Sequence, residues 1–579
     1  MIEKNDIICA TTEGIGTNGE GILKHEGITF FVPACLPGEK VRFKVLKVKG
    51  NVGYGKVEEI LTSAEERVRE KCSVFMRCGG CCLQHLDYTA QLSYKSNVVK
   101  DALRKIAGLQ VTVPLCVKSD FPYGYRNKLQ IPVGVDKNGE NVIGFYAEHS
   151  HRIVPVTACA IHPQWAEKLI ATVKRYMTEC AVKGYNEETK TGAIRHIVAR
   201  EIGGNFIVTL VSAKRNLPNL SYLVGLLSEH MKSFSLFVNI NDADTNVILG
   251  KEFELVHGRG VFEAVEQGIR YEAGPVTFLQ VNENVRTKLY RDALKTVCKS
   301  ADNVVIDAYS GGGLLTAMIA KKAKRVYGIE LEPEAVRCAD SLKAKNGLEN
   351  MTNYCGYVEE ILPKVMEKEQ GENLRLILDP PRAGIARSVL KALLESGIPS
   401  LSIISCNPAT LARDLGILSG RLTENENGEL VKNPAYAEAD AGTTLPGFYE
   451  IEKIQPYDMF PQTKHVETLV CLSKKTEKHI NIDVEFGEGE GQISLKKLQE
   501  ELNEQKPKKK TTYKDVQTYI EEKYGFKVHT AYIAEVKRDL GLPMYDAPNA
   551  VEELKKPRQH PTAEMVEAIK DALKHFEII

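Results

Sequence analysis

The residues of this chain best suited to chemistry lie in the short loop Ser405-Cys406-Asn407-Pro408. The apolar run Leu401-Ser402-Ile403-Ile404 precedes this loop and predicts a strand that ends next to the cysteine. A cysteine thiolate is a nucleophile that forms covalent intermediates with its substrate. We therefore interpret Cys406 as a catalytic nucleophile, the alternative being a small residue of the core.

Two acidic segments accompany this loop. Asp379-Pro380-Pro381-Arg382 follows the apolar run from Leu374 to Leu378, and His465-Val466-Glu467-Thr468 lies downstream. A positioned carboxylate takes up protons as a general base, and Glu467 is the candidate for that role. The alternatives are a solvated strand charge for Glu467 and a turn or helix-cap aspartate for Asp379.

A glycine-rich turn, Asp307 to Gly313, connects a predicted strand to a helix predicted from about Leu314 to Lys322. Such turns let a cofactor approach the backbone in doubly wound sheets. Glu330 ends the next predicted strand, 23 positions after Asp307, near the spacing at which a carboxylate binds ribose hydroxyls. Dehydrogenases share this loop, but the later strand ends carry Asp379 and Cys406, which argues against a dehydrogenase.

These groups together indicate methyl transfer to carbon 5 of a pyrimidine. Carbon 5 of uracil is a poor nucleophile until a group adds to carbon 6. A thiolate at Cys406 makes that addition, and the resulting enolate attacks a methyl sulfonium through carbon 5. Glu467 then removes the carbon 5 proton so that the thiol can leave.

Length and charge limit the classes of protein to which the chain can belong. Its 579 residues predict several domains, and its formal net charge of zero means that any RNA-binding surface is a local patch. No apolar run approaches the roughly 20 residues of a membrane helix, and the N-terminus has no hydrophobic signal core. We expect a cytoplasmic protein without membrane contact. Its 14 cysteines then act as metal ligands, catalytic thiols or core residues.

Residues 6 to about 60 consist of short strand-like runs separated by glycine turns, which predicts a small antiparallel barrel of the oligonucleotide-binding type. One of these strands is basic and places positive charge on one face; its charged residues are Lys40, Arg42, Lys44, Lys47 and Lys49. This pattern favours contact with RNA. The alternative is a barrel that binds no ligand.

A cysteine cluster follows the barrel. Cys72, Cys78 and Cys81 lie close together in sequence, and Cys159 provides a remote fourth thiol. This spacing is typical of a metal or iron–sulfur site, and it does not separate zinc from a 4Fe–4S cluster. Unligated thiols are the other alternative. Nothing nearby suggests electron transfer, so we expect a structural staple.

Basic and aromatic residues alternate in the middle of the chain, roughly from 122 to 270. Arg126 and Lys128 lie beside Tyr123 and Tyr125, and Arg195-His196 falls on a later predicted strand. Such residues can hold phosphates and stack bases. The alternative is a solvated sheet face.

The C-terminal segment has a different composition. A charged linker runs to Lys506-Pro507-Lys508-Lys509-Lys510, and three helices follow: one from Tyr513 to near Gly525, one that Thr530 caps, and one from about Thr562 to Phe576. In the second helix, Ile533, Val536 and Leu540 are predicted to face inward, and the helix is predicted to stop at Gly541. This pattern indicates either a small helix-turn-helix unit that contacts RNA or a protein-docking or solvated appendage.

These motifs resemble those of the 5-methyluridine RNA methyltransferases that use S-adenosylmethionine, in particular the bacterial 23S rRNA branch with an N-terminal TRAM barrel and a 4Fe–4S cluster. The likeness covers about residues 6 to 475, and its matching segments are Pro33 to Glu39, Cys72 to Tyr88, Phe278 to Asn282, Asp307 to Gly313, Leu378 to Gly384, Ser405 to Asp414 and Gln455 to Thr468.

The resemblance implies a multidomain α/β fold. It consists of an OB-like TRAM barrel (1–62), a central α+β domain with the cluster (63–89 and 122–270), a Rossmann-like methyltransferase domain (90–121 and 271–475) and a C-terminal extension beyond the family core, comprising a linker and helices (476–579). Residues 90–121 are expected to fold back onto the methyltransferase domain.

The resemblance also implies roles for individual residues. Cys406 is the nucleophile and Glu467 the base, while Gln280, Tyr309, Glu330 and Asp379 line the cofactor site. Cys72, Cys78, Cys81 and Cys159 hold the cluster. The expected substrate is 23S rRNA, and the protein is expected to be a monomer. The alternatives are the same chemistry on the T-loop of tRNA and an RNA-binding assembly factor without catalysis.

Overall fold

A computed structural model describes residues 2–277, 279–425, 427–436, 444–445, 447–475, 513–540 and 560–576. The predicted linker, 476–510, and Phe278 of the matching segments lie outside these ranges. The chain divides into two compact units, Met1–His479 and Ile480–Ile579. Among the described residues, none of the helices combines the length and the apolar character that crossing a bilayer requires.

The first unit begins with a closed five-stranded barrel, which confirms the predicted N-terminal barrel, although one of its strand pairs is parallel rather than antiparallel. Its strands, in the spatial order β1-β2-β3-β5-β4, are β1 (Ile7–Ile15), β2 (Gly21–His25), β3 (Ile28–Val32), β4 (Lys40–Lys49) and β5 (Val52–Thr62). In β4, Val41 and Phe43 fill the barrel while Lys40 and Arg42 face outward. Arg42 forms an ion pair with Glu59 on β5, which partly neutralises the positive face. Helix α1 (Tyr88–Ala107) follows the barrel.

The central part of the unit is a second, seven-stranded sheet. Its strands are β6 (Lys128–Val135), β7 (Asn141–Tyr146), β8 (Ile153–Pro155), β9 (Ile194–Ile202), β10 (Asn205–Ser212), β11 (Phe234–Ile240) and β12 (Glu252–His257), and its helices are α2 (Gln164–Glu179) and α3 (Leu220–Ser228). Arg195 and His196 on β9 are buried, and Arg195 donates hydrogen bonds to the carbonyls of Asn241 and Ala243. The expectation that this pair lies on a solvated or RNA-facing surface is therefore wrong, because the strand is covered on both faces.

A hairpin leads into a third, mixed sheet of seven strands in the order β17-β16-β15-β18-β19-β23-β22. The hairpin is β13 (Phe262–Glu266) and β14 (Ile269–Ala273), and the sheet contains β15 (Val304–Ala308), β16 (Arg325–Glu330), β17 (Met351–Cys355), β18 (Leu374–Leu378), β19 (Ser400–Ser405), β22 (Tyr449–Tyr457) and β23 (Glu467–Lys474). A small pair, β20 (Leu422–Glu424) and β21 (Leu430–Lys432), lies beside it. The first five strands in this order, from β17 through β15 to β19, are parallel to one another. Strand β23 pairs antiparallel with both β19 and β22.

Helices cover both faces of this mixed sheet, as in doubly wound folds. They are α4 (Glu283–Val297), α5 (Leu314–Ala320), α6 (Pro333–Asn346), α7 (Val358–Lys368), α8 (Arg387–Glu395) and α9 (Pro408–Leu418). One core contains side chains of α4, α5 and α6, and the other contains side chains of α7, α8, α9 and α1. Helix α1 thus belongs to the mixed sheet's core, although the whole central sheet lies between them in sequence.

The second unit contains three described helices, α10 (Tyr513–Tyr524), α11 (Thr530–Asp539) and α12 (Ala563–His575). They share a core that includes Val516, Ile520, Ile533, Ile569 and Leu573. Two expectations for α11 are wrong, and one lies outside the described residues. His529 rather than Thr530 caps the helix, since its ring accepts the Ala531 N–H, and Leu540 is 40% exposed because the helix ends at Asp539. The predicted stop at Gly541 falls in the undescribed part.

Candidate active site

Three loops meet at the carboxyl edge of the mixed sheet. They follow β15, β18 and β19, which are neighbours in the sheet, and the strand order changes direction between β15 and β18. Ligands of doubly wound sheets bind at such a switch point. A cavity of about 710 Å³ lies there, and five of the predicted site residues line it: Gln280, Tyr309, Asp379, Cys406 and Glu467.

Local structure fixes the position of Cys406. Ser405 ends β19, and Asn407 caps α9 by accepting the Ala409 N–H at 3.1 Å, while Pro408 occupies the first turn. The Asn407 side chain also donates to the Arg382 carbonyl at 3.1 Å, which links this loop to the loop after β18. The half-buried Cys406 is therefore presented between a strand end and a helix start.

Glu467 reaches the same point from the neighbouring strand. Ser405 lies opposite Thr468 in the antiparallel pair of β19 and β23, so Cys406 and Glu467 lie at the same end of these two strands. The Glu467 side chain is buried, with 3% of the residue exposed. A thiol and a carboxyl group thus face one cavity from adjacent strands.

The glycine loop after β15 is shaped by backbone conformations that favour glycine. Gly313 has φ +79°, and a Cβ there would lie 2.6 Å from that of Ala339. Tyr309 also adopts a positive φ, +64°, which is uncommon for a non-glycine residue and is found at functional sites. The loop is therefore held in a fixed shape next to the cavity.

Glu330 supports this loop rather than lining the cavity. Its carboxylate accepts the Gly311 N–H at 2.9 Å and the Glu332 N–H at 3.0 Å. Beneath the loop, the buried Asp307 accepts a hydrogen bond from the Thr316 hydroxyl at 2.6 Å. The structure thus places Glu330 behind the loop that Tyr309 and Gly311 form.

Burial shifts the proton affinities of the acids in the cavity toward neutral pH. Burial raises the pKa of Glu467 to about 8, with a further contribution from Asp379 and an opposing one from Arg382. Burial and the Asp307 charge raise the pKa of Asp379 to about 7. Burial and the Glu467 charge also raise the pKa of the Cys406 thiol. Groups of this kind exchange protons near physiological pH and are typical of catalytic sites.

A second cavity, of about 620 Å³, reaches Cys406 from the other side. Its walls come from the barrel and α1, and they include Thr17, Phe31, Tyr94 and Lys105. Cys406 borders both cavities, so the thiol stands where they meet.

Two further residues border both cavities and were not assigned a role from the sequence. Arg382 and His465 lie within the motifs that contain Asp379 and Glu467. Burial and the Arg382 charge lower the pKa of His465 to about 4, so its ring is neutral at physiological pH. Their adjacency to the two acids was the available signal, but sequence alone does not show that their side chains face the same space.

The four predicted ligand cysteines line another cavity of about 430 Å³. Burial raises the pKa of Cys81 to about 12 and that of Cys159 to about 11, and neighbouring cysteines add to both shifts. In the described part of the chain, no three His, Cys, Asp or Glu side chains are arranged to hold one metal ion. Leu279, Gln280 and Phe460 line both this cavity and the cavity at the sheet edge, so the two share a wall.

Comparisons with known proteins agree with this architecture. The family model described as tRNA (uracil-5-)-methyltransferase matches residues 87–425. An uncharacterized RNA methyltransferase of Clostridium acetobutylicum is 36% identical over 479 residues, 82% of this chain and 98% of that protein. Another, from Listeria monocytogenes, is 35% identical over 474 residues, with the same coverage of 82% and 98%.

A solved structure shares the fold. It is the Pyrococcus abyssi tRNA (uracil-54, C5)-methyltransferase in complex with S-adenosyl-L-homocysteine, with a TM-score of 0.62 and 24% identity over 80% of this chain and 99% of that chain. The chain therefore belongs to the uracil-5 RNA methyltransferase family, a class of enzymes that depend on S-adenosylmethionine. The resemblance found in the sequence motifs is confirmed at the level of this family.

Proposed function

We propose that this protein methylates carbon 5 of a uridine in 23S rRNA through a covalent bond between the Cys406 sulfur and carbon 6 of the base. The observation that carries this proposal is the meeting of a thiol, a buried carboxyl group and a glycine loop at one cavity. Cys406, Glu467 and Tyr309 all line it.

Each residue has a defined part in the reaction. The Cys406 thiolate adds to carbon 6, and the electron pair of the carbon 5–carbon 6 double bond moves to the base as an enolate. S-adenosylmethionine, when bound, would supply an electrophilic methyl group to carbon 5, with its methyl–sulfur bond breaking to leave S-adenosylhomocysteine. Glu467 then accepts the proton of carbon 5, the double bond re-forms, and the carbon–sulfur bond to Cys406 breaks.

The cofactor side is the part of the cavity next to the glycine loop. We assign Gln280, Tyr309 and Asp379 to contacts with S-adenosylmethionine, because they line the cavity there. We assign Glu330 to the same cofactor site. Its carboxylate holds the glycine loop through the Gly311 and Glu332 N–H groups, and each oxygen keeps a lone pair for a ribose hydroxyl.

The RNA side is the second cavity. It is bordered by the barrel and α1 and carries Lys105, Lys464 and Arg382, together with the aromatic rings of Phe31 and Tyr94. Cations bind the phosphate backbone and aromatic rings stack on unpaired bases. A uridine that enters from this side meets the Cys406 sulfur with its ring, while the methyl donor lies on the other side.

The competing substrate is tRNA. The barrel and the cysteine group favour 23S rRNA by the family resemblance. In contrast, the tRNA (uracil-54, C5)-methyltransferase of Pyrococcus abyssi shares the fold over 80% of this chain. The choice of RNA therefore requires a direct assay.

We further propose that Cys72, Cys78, Cys81 and Cys159 hold a 4Fe–4S cluster. The four thiols line one cavity of about 430 Å³, which fits a group larger than one ion. Zinc bonds to sulfur at about 2.3 Å and draws four thiolates tightly together. Protein purified without oxygen should be brown and contain iron and sulfide; colourless protein with stoichiometric zinc would contradict the cluster.

The main test is methylation in vitro. Purified protein is incubated with methyl-labelled S-adenosylmethionine and either a 23S rRNA or a tRNA transcript, and the nucleosides are separated. Labelled 5-methyluridine is expected from 23S rRNA, and it should disappear with Cys406→Ala. Cys355→Ala is the control, because Cys355 is exposed at the end of β17.

Three results would overturn parts of this proposal. Full activity of the Cys406→Ala variant would exclude Cys406 as the nucleophile. Label found only in tRNA would mean that tRNA, and not 23S rRNA, is the substrate. Binding of S-adenosylmethionine without turnover on either RNA would identify an assembly factor instead of an enzyme.

A further inference from the structure

The cysteine cavity has an unusual pair of basic residues on its wall. Lys128 begins β6, Arg200 lies near the end of β9, and the two are directly opposite each other in the antiparallel pairing. Both side chains line the cavity, as does that of Arg126, two positions before Lys128. We call Arg126, Lys128 and Arg200 the cationic face. Like charges directly opposite on neighbouring strands are destabilising unless another group compensates them.

The protein itself supplies no such compensation among the described residues. Arg200 is only 5% exposed, and its Nη1 atom is buried without a hydrogen-bond partner. Burial and the neighbouring Arg200 and Arg126 charges lower the pKa of Lys128 to about 8, and burial and the Arg286 charge lower that of Arg200 to about 10. A buried, unpaired charge is strongly destabilising. The arrangement therefore favours an anion in the cavity.

The other side of the same cavity indicates which anion. Cys72, Cys78, Cys81 and Cys159 line it, and cysteine binds metals as the negatively charged thiolate. In a 4Fe–4S cluster, the charge of four thiolates outweighs the positive charge of the iron–sulfide core. The group as a whole is therefore an anion.

We propose that the cationic face supplies the positive charge that stabilises the anionic iron–sulfur group held by the four cysteines. This inference rests on the cluster proposed above. The three residues are not iron ligands; they act through their charge. Their effect is to retain the cluster, and it is measurable because nearby positive charge raises the reduction potential of an iron–sulfur cluster.

The test compares wild-type protein with Lys128→Gln and Arg200→Gln, all purified without oxygen. Lys174→Gln is the matched control, because Lys174 is exposed on α2 of the same region. Three quantities are measured: the midpoint potential of the cluster, the rate at which a ferrous chelator removes its iron, and the salt dependence of RNA binding. Loss of one positive charge should lower the equilibrium constant for reduction by about tenfold, which is 59 mV for one electron. Iron loss should become several-fold faster.

The outcomes separate this inference from the proposals before it. A wild-type protein without iron and sulfide would overturn both the cluster and the cationic face. A wild-type cluster with unchanged potentials and loss rates in both variants would overturn the cationic face alone. Unchanged cluster properties with a smaller salt dependence of RNA binding would instead assign these residues to phosphate contacts. Methylation activity is not needed for any of these readings.

Discussion

At the scale of single residues, the site brings together the Cys406 thiol and the Glu467 carboxyl group, and burial raises the pKa of both. Glu467 raises the pKa of Cys406, and Asp379 raises that of Glu467. Arg382 opposes the shifts of Cys406 and Glu467. These charges act on one another across a single cavity, so a change in one of them alters the protonation of the others.

The role of Glu467 predicts a trapped intermediate. In Glu467→Gln the thiol still adds and the methyl group is still transferred, but the carbon 5 proton has no acceptor. Turnover should fall by about 10²- to 10⁴-fold, and a covalent protein–RNA species should accumulate. Denaturing gel electrophoresis with labelled RNA measures this species. Glu450→Gln on the exposed face of β22 is the control; an adduct-free Glu467→Gln with normal turnover would exclude Glu467 as the base.

The raised pKa values predict the pH dependence of the reaction. Glu467 accepts a proton only when ionised, and its pKa is raised to about 8. The rate should therefore rise with pH from 6 to 8, and the raised pKa of the Cys406 thiol moves the profile in the same direction. Arg382→Gln removes a charge that lowers both pKa values, so it should shift the rising limb to higher pH. Steady-state rates measured between pH 6 and 10 test this, and a rate that falls over the range would contradict it.

Part of the site was predictable because strand ends carry ligands in doubly wound sheets. Cys406 and Asp379 follow apolar runs directly, so their meeting at one sheet edge could be expected from the sequence. Glu330 follows the same rule, yet its carboxylate accepts the N–H of Gly311 in the neighbouring loop and that of Glu332 in its own. Side-chain direction depends on such contacts, and spacing alone does not reveal them.

At the scale of elements, α1 holds the segment that leads to Glu467. Lys95 on α1 pairs with Asp458 at 2.5 Å, and both side chains are fully buried. Lys95 also donates to the Phe460 carbonyl at 2.9 Å, and the Tyr88 hydroxyl donates to Asp458 at 2.8 Å. Phe460 lines the catalytic cavity. Helix α1 therefore positions the segment from Asp458 to Phe460, which leads to Glu467.

This contact predicts different effects on stability and on turnover. Lys95→Met leaves the Asp458 carboxylate buried without its cation, which should cost about 3–5 kcal/mol of folding free energy. The double variant Lys95→Met/Asp458→Leu removes both charges and should recover most of that loss. It should still turn over at least tenfold more slowly, because the loop has lost its anchor. Urea denaturation and steady-state kinetics measure the two effects.

The control is an exposed ion pair. Arg175 and Glu179 pair on the surface of α2, so Arg175→Met should change stability by less than about 1 kcal/mol. Normal turnover in the stable double variant would mean that the buried pair only stabilises the fold. The buried pair of Lys95 and Asp458 was not predictable from the sequence, because the two residues are 363 positions apart and neither stands in a motif that requires the other.

At the scale of the whole molecule, the chain adds a helical unit to a family-sized enzyme. The match to the Clostridium acetobutylicum protein covers 98% of that protein but 82% of this chain. The unmatched share is about the size of the second unit, Ile480–Ile579. That unit has its own core from α10, α11 and α12. The approximate limits of the three described helices followed from amphipathic spacing, whereas the function of the unit leaves no comparable pattern of chemical groups.

This division predicts the effect of removing the unit. All the proposed catalytic, cofactor and cluster residues lie before residue 475, and the first unit contains its own cores. A chain ending after Lys475 should therefore fold and keep kcat on 23S rRNA within about twofold of the full-length value, because the transition-state contacts are intact. If the second unit contacts RNA, its removal raises KM and lowers the salt dependence of binding. Steady-state kinetics at two salt concentrations separate these cases. A tenfold loss of kcat at saturating RNA would show that the added helices take part in assembling the catalytic site.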